Sequence, residues 1–269
     1  MARIDHEASP FRAGIFAGRT AIVTGGGTGI GKAIADELAS LGARVALCGR
    51  RIEPVNLAAE EITARGGEAM AASVDIRQPE AIAAFVESVQ GRFGAVDILI
   101  NNAGGQFPSP AQHISPKGFE AVVRNNLLGT FNVTHAVANL AMIPQRSGRI
   151  VNVIANVARG FPGMAHTGAA RAGVDNLTKS LAVEWAPFNI AVNAVAPGTI
   201  RSTGTDRYPP ELVERAEKKV PMKRLGTCAE VAHLVTYLCS DAADYVTGVT
   251  WYIDGGASLW GDIWDASLE

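Results

Sequence analysis

Between residues 19 and 253, short apolar runs alternate with segments whose apolar residues recur at helical spacing. The runs are RTAIVTG (19–25), RVALCG (44–49), EAMAASVD (68–75), AVDILINNAG (95–104), GRIVNVI (148–154), NIAVNAVAPG (189–198) and GVTWYIDGG (248–256). They are short and mostly apolar throughout, which predicts buried strands. Residues 29–42, 52–67, 79–94, 115–141, 166–186 and 228–240 predict amphipathic helices, punctuated by Gly42, Gly66, Gly67 and Pro79. Strands alternating with helices imply a doubly wound α/β domain: a parallel sheet covered on both faces, with right-handed crossovers. The pattern holds no repeat and no second-domain boundary. The domain is expected over 19–257, with 1–18 as an N-terminal arm and 258–269 as a tail. Residues 199–224, rich in Gly, Pro and mixed charge around a short helical piece, read as a substrate-binding flap.

Composition narrows the function. With 48% hydrophobic and 19% charged residues the chain is globular, and 24 basic against 26 acidic residues are spread without blocks. That disfavours a nucleic-acid face. Three widely spaced cysteines (Cys48, Cys228, Cys239) show no metal-ligand pattern, so no metal is expected and the thiols read as reduced. The start carries no apolar core of signal-peptide length, and no run approaches the roughly eighteen apolar residues of a membrane span. A cytoplasmic location without membrane contact is the expectation.

The chemistry begins at Thr24-Gly25-Gly26-Gly27-Thr28-Gly29-Ile30-Gly31, between the first strand and first helix. Glycines there let backbone approach a pyrophosphate held at the helix N-terminus. Gly25, Thr28, Gly29, Ile30 and Gly31 are therefore candidate dinucleotide ligands. A carboxylate at the end of the second strand would hold a ribose 2′-hydroxyl, but this strand ends Cys48-Gly49-Arg50-Arg51. Two guanidinium forks suit a 2′-phosphate and favour NADP(H). At the end of the third strand, Asp75 is placed either to meet the adenine or to cap a turn, with Ile76 beside it.

These motifs, with Asn101-Asn102-Ala103-Gly104, Asn126-Leu127-Leu128-Gly129-Thr130, Pro197-Gly198 and Ile253-Asp254-Gly255-Gly256, resemble the short-chain dehydrogenases/reductases over about 19–257. The resemblance implies a seven-stranded parallel sheet and a homotetramer. It also implies that Asn102, Ala103 and Gly104 line the adenine-ribose side, that Asn126 anchors the active site, and that Pro197, Gly198 and Ile200 meet the nicotinamide. Gly104-Gly105-Gln106-Phe107 and His166-Thr167-Gly168-Ala169-Ala170-Arg171 look like the peroxisomal trans-2-enoyl-CoA reductases, with the mitochondrial-type 2,4-dienoyl-CoA reductases as more distant cousins.

One departure shapes the activity. Family members generally carry a Ser and a Tyr-x-x-x-Lys; here those registers hold Ile154, Thr167 and Arg171. The displaced tyrosines of the dienoyl- and enoyl-CoA reductases fall at Asn156 and Asp175. Without a phenol acid, exchange between alcohol and ketone is disfavoured, because the oxygen must gain or lose a proton. Reduction of an activated C=C bond needs only donors for a developing enolate oxygen. Asn126, Thr167 and Arg171 are the catalytic candidates, and Arg171 also holds the ribose. Asp175 and Lys179 read as an exposed pair. His113 and His166 read as structural or pocket-lining, and Trp260 and Trp264 as an interface or an acyl channel. The leading expectation is an NADPH-dependent reductase of a 2-enoyl or dienoyl thioester. An NADP-dependent dehydrogenase of an allylic or terpenoid alcohol is the second, and an NADP(H)-binding protein with little catalysis the third.

Overall fold

A computed structural model describes residues 9–205 and 210–259. Seven parallel strands form one sheet in the order β3-β2-β1-β4-β5-β6-β9. They are β1 (Thr20–Thr24), β2 (Arg44–Gly49), β3 (Glu68–Ser73), β4 (Ile98–Asn101), β5 (Gly148–Val153), β6 (Ile190–Pro197) and β9 (Thr250–Ile253). A separate two-stranded ladder pairs β7 (Ile200–Arg201) with β8 (Gly226–Thr227).

The five inner strands read apolar because they are buried on both faces, whereas the edge strands β3 and β9 are partly exposed. Successive side chains point to opposite sides of a strand. Ala21 and Val23 of β1, Val45 and Leu47 of β2, and Ile98 and Ile100 of β4 pack one way. They meet α1 (Gly29–Ser40), α2 (Ile52–Ala64) and α9 (Cys228–Cys239). Ile22, Ala46 and Leu99 point the other way, into α3 (Pro79–Phe93), α5 (Gly129–Val137) and the C-terminal half of α7 (Ala165–Trp185). Phe16, within the segment read as an arm, is fully buried in the first of these clusters, and its N–H donates to the Leu41 carbonyl at 3.0 Å.

The long helical segment expected over 115–141 extends further and is not uniform. It runs α4 (Pro116–Val123), a π-helical turn (Arg124–Leu128), α5, a second π-helical turn (Ala138–Met142) and α6 (Ile143–Gln145). Ser115 caps it, its hydroxyl accepting the Gly118 N–H at 3.1 Å. The flap region contributes Ile200 and Val220 to the interior and carries α8 (Pro210–Lys219), and Leu225 just beyond it is buried too. Trp260 and Trp264 lie outside the described residues.

Not every glycine serves the site. Gly91, exposed in α3, would place a Cβ in open space and has an ordinary helical φ. Gly91→Ala is expected to stabilise the fold by about 0.5–1 kcal/mol, through helix propensity and a less flexible unfolded chain. Urea unfolding monitored by circular dichroism would read this as a raised midpoint with unchanged slope.

Candidate active site

Strand order reverses between β1 and β4, so the loops leaving their C-terminal ends diverge and open a crevice. A cleft of about 570 Å³ lies there, lined by Gly25, Thr28, Arg50, Arg51, Asn102 and Gly104 among others. Thr24 stitches the two loops together. Its hydroxyl accepts the N–H groups of Asn102 and Ala103, each at 3.0 Å, and donates to the Ile100 carbonyl at 3.3 Å. The Asn102 amide answers by donating to the carbonyls of Thr24 (3.1 Å) and Gly25 (3.2 Å).

The glycine loop fits a dinucleotide on steric grounds. A Cβ on Gly31 would lie 2.3 Å from the Gly25 carbonyl oxygen, so only glycine lets α1 come so close to the loop. Gly25 and Gly29 hold φ of +65° and +56°, a conformation glycine adopts without strain. The Thr28 side chain makes no capping bond to α1, leaving the first N–H groups of a twelve-residue helix open to an anion. At the end of β2, Arg50 and Arg51 are exposed on the cleft, and neither is in a salt bridge among the described residues. Ile76 lines the same cleft. The Asp75 carboxylate is instead clasped by Arg77 (Nε to Oδ1 2.9 Å, Nη2 to Oδ2 2.5 Å), which holds it down to about 2. Pro54, Val55, Val74 and Asn125 also line the cleft. No motif marked them, since they are contributed by the start of α2, the end of the third strand and the first π-helical turn.

Gly104 lines one end of the cleft, and Asn126 and Arg171 lie buried against it. Asn126 is fully buried on the π-helical turn, a geometry often associated with functional positions. Its amide donates to the carbonyls of Gly105 (2.7 Å) and Val122 (2.9 Å), and its oxygen accepts the Gly105 N–H at 3.3 Å. The Arg171 guanidinium donates to the Val153 carbonyl at 3.1 Å and lies against Gly104, where an added Cβ would stand 2.3 Å from Nη2. Burial pulls it down to about 10, so it stays charged at neutral pH. Arg171 pairs with no carboxylate among the described residues. Thr167 is fully buried, and its hydroxyl lies 3.3 Å from His166 Nδ1.

Pro197 and Gly198 end β6 against the last strand, with the Gly198 N–H donating to the Ile253 carbonyl at 3.0 Å. Ile200 turns into the core and packs on Gly226. Asn156 donates to Asp254 Oδ2 at 2.8 Å. Asp175 receives Lys179 at 2.5 Å and bonds the Thr250 hydroxyl, so it is tied to the sheet edge. His113 is exposed in a short 3₁₀ turn.

The sequence profile of the family described as enoyl-(acyl carrier protein) reductase matches residues 25–258. The chain belongs to this family of short-chain dehydrogenases/reductases. Two similar curated relatives of this short-chain dehydrogenase/reductase carry different activities in their names. A peroxisomal 2,4-dienoyl-CoA reductase of Danio rerio is 39% identical, across 90% of this chain and 82% of that protein. A 3-oxoacyl-[acyl-carrier-protein] reductase of Staphylococcus aureus is also 39% identical, across 88% and 97%. Among solved structures, a citronellol catabolism dehydrogenase of Pseudomonas aeruginosa is 46% identical, covers 93% of this chain and 99% of its own, and superposes with a TM-score of 0.85.

Proposed function

We propose that this short-chain dehydrogenase/reductase uses NADPH to reduce the C=C bond of a 2-enoyl or dienoyl thioester. The observation that carries the reading is the buried Arg171 guanidinium, held against Gly104 without a carboxylate partner among the described residues, one turn from Thr167, which stands in the register where the family generally carries its tyrosine. The name of the Danio rerio relative supports the same substrate class. Bound NADPH would supply a hydride, and the glycine loop, the α1 N-terminus, Arg50 and Arg51 would hold it.

The chain's own residues then do electrostatic work. Arg171 supplies fixed positive potential where negative charge grows on the thioester oxygen, and does so without giving up a proton. Its bond to the Val153 carbonyl fixes the fork. Asn126 holds Gly105 through two hydrogen bonds and so sets the wall opposite Arg171. Solvent protonates the α-carbon once the enolate has formed.

We further place the protein in the cytoplasm as a homotetramer. The thiols of Cys48 and Cys239 are buried and free, which suits a reducing compartment. Exposed Leu128, Phe131, Val183, Trp251 and Tyr252 offer apolar area for subunit contact. Oxidation of a terpenoid alcohol is the second reading, favoured by the name of the Pseudomonas aeruginosa relative.

One spectrophotometric comparison decides between these. Purified protein is expected to oxidise NADPH with crotonyl-CoA and 2,4-hexadienoyl-CoA, and to leave acetoacetyl-CoA and citronellol with NADP⁺ nearly inert. Turnover of citronellol with all thioesters inert would move the assignment to the alcohol. NADPH binding with no turnover of any of them would make the chain a cofactor-binding protein.

A further inference from the structure

The first turn of α7 buries an imidazole that the reading above does not use. His166 is fully buried. Its Nδ1 accepts the Thr167 backbone N–H at 2.8 Å and lies 3.3 Å from the Thr167 hydroxyl. A ring nitrogen that accepts an N–H carries no proton of its own, so the neutral ring holds its proton on Nε2. That Nε2 has no hydrogen-bond partner among the described residues. A buried donor left unmade is costly, and a ligand oxygen is the ordinary way to satisfy it.

What covers the ring is a half-exposed aromatic side chain. Phe107 stands across His166 with centroids 4.5 Å apart and planes at 81°, while 40% of Phe107 remains exposed. An aromatic ring offers an N–H only a weak acceptor. The segment carrying Phe107 is tied at two points: Gly105 to the Asn126 side chain, and the Ser109 N–H to the Gly163 carbonyl at 2.7 Å. Residues 106–108 between them make no hydrogen bond among the described residues. The same segment begins at Gly104, against Arg171. Three chain steps lead from Gly104 to Phe107, a span of at most about 11 Å. One elongated acyl group lying along this segment therefore reaches both the guanidinium and the imidazole.

We propose that the Nε2–H of His166 is a donor to the thioester carbonyl oxygen of an acyl substrate that enters beneath Phe107. It stabilises the charge that grows there, with no proton transferred to it, while Arg171 adds positive potential from further along the same segment. The proposal rests on the acyl-thioester reading of the substrate, so its test includes a measurement that needs no turnover.

In protein labelled with ¹⁵N-histidine and saturated with NADP⁺, His166 is expected to show a protonated Nε2 and an unprotonated Nδ1. Butyryl-CoA, a saturated thioester with no bond to reduce, is expected to move the Nε2–H resonance downfield. In steady state His166→Phe, which keeps a planar ring but no N–H, is expected to lower kcat for crotonyl-CoA about 100-fold. Its affinity for NADPH should be unchanged, and His166→Gln, with an amide donor, should recover part of the loss. An unmoved Nε2–H at saturating butyryl-CoA would overturn the proposal, as would unchanged kcat in His166→Phe or a rise confined to KM. Should His166→Phe fail to fold, the spectra of the unmodified protein decide alone. Should the protein reduce no thioester, the functional reading fails, and the butyryl-CoA spectrum still decides the role of His166.

Discussion

Replacing Arg50 and Arg51 together by Ser is expected to raise the Kd for NADPH by about 10² to 10⁴ while leaving the Kd for NADH within a few-fold. The physical ground is the fork of donors that each guanidinium presents to a 2′-phosphate. A hydrogen bond to a charged group contributes about 1.5–3 kcal/mol, and two such groups give the expected range. Neither arginine supports the fold through an ion pair among the described residues, and both are exposed at the cleft. Their removal should therefore leave the melting temperature nearly unchanged. Titration of intrinsic fluorescence with each nucleotide measures the ratio. Equal losses for NADPH and NADH would refute the assignment of the pair to the 2′-phosphate, as would a strong preference for NADH in the unmodified protein.

The second large effect is expected at Arg171. Arg171→Met keeps a long apolar stem at the buried position but removes the charge, and should lower kcat/KM for an enoyl thioester by about 10² to 10³. It also strips the Val153 carbonyl of its donor, which adds a stability loss of about 1–3 kcal/mol. Arg171→Lys restores a cation in the register where the family generally carries lysine, and should retain most of the activity. Gly104→Ala approaches the same group from outside. Its Cβ would stand 2.3 Å from Arg171 Nη2 and 2.6 Å from Asn126 Oδ1, so one of them must move. Turnover in Gly104→Ala should fall, and NADPH affinity with it, since Gly104 also lines the nucleotide cleft. Unaltered turnover in Arg171→Met would remove the guanidinium from the chemistry.

The inner strands were legible because each is apolar on both sides, while their order in the sheet was not read from the sequence. A continuous run such as Ala21-Ile22-Val23 has to meet helices above and below, and only a layered α/β arrangement supplies both. The cradle was legible for a similar reason: glycines at 25, 29 and 31 make sense only where φ is positive or backbone meets backbone. Other features left no periodic trace. The π-helical turn at Arg124–Leu128 changes the hydrogen-bond span without changing the apolar spacing enough to register. The β7–β8 ladder is two residues long on each side and too short for any pattern. Asp75 could be read toward the adenine or toward a turn; the structure adds Arg77, two residues on, whose fork reaches the carboxylate. Likewise Thr167 was marked for its register, while its hydroxyl is seen beside His166, a partner that adjacent positions in a chain do not announce.

Thr24 has a consequence beyond its own three hydrogen bonds. One hydroxyl joins the floor beneath the nucleotide to the loop that continues to Gly104, and the Asn102 amide returns the connection. The two halves of the crevice thus behave as a single stiff plate, not as independent loops. Whatever settles on the phosphate side sets, through that plate, the height of the wall against which Arg171 rests.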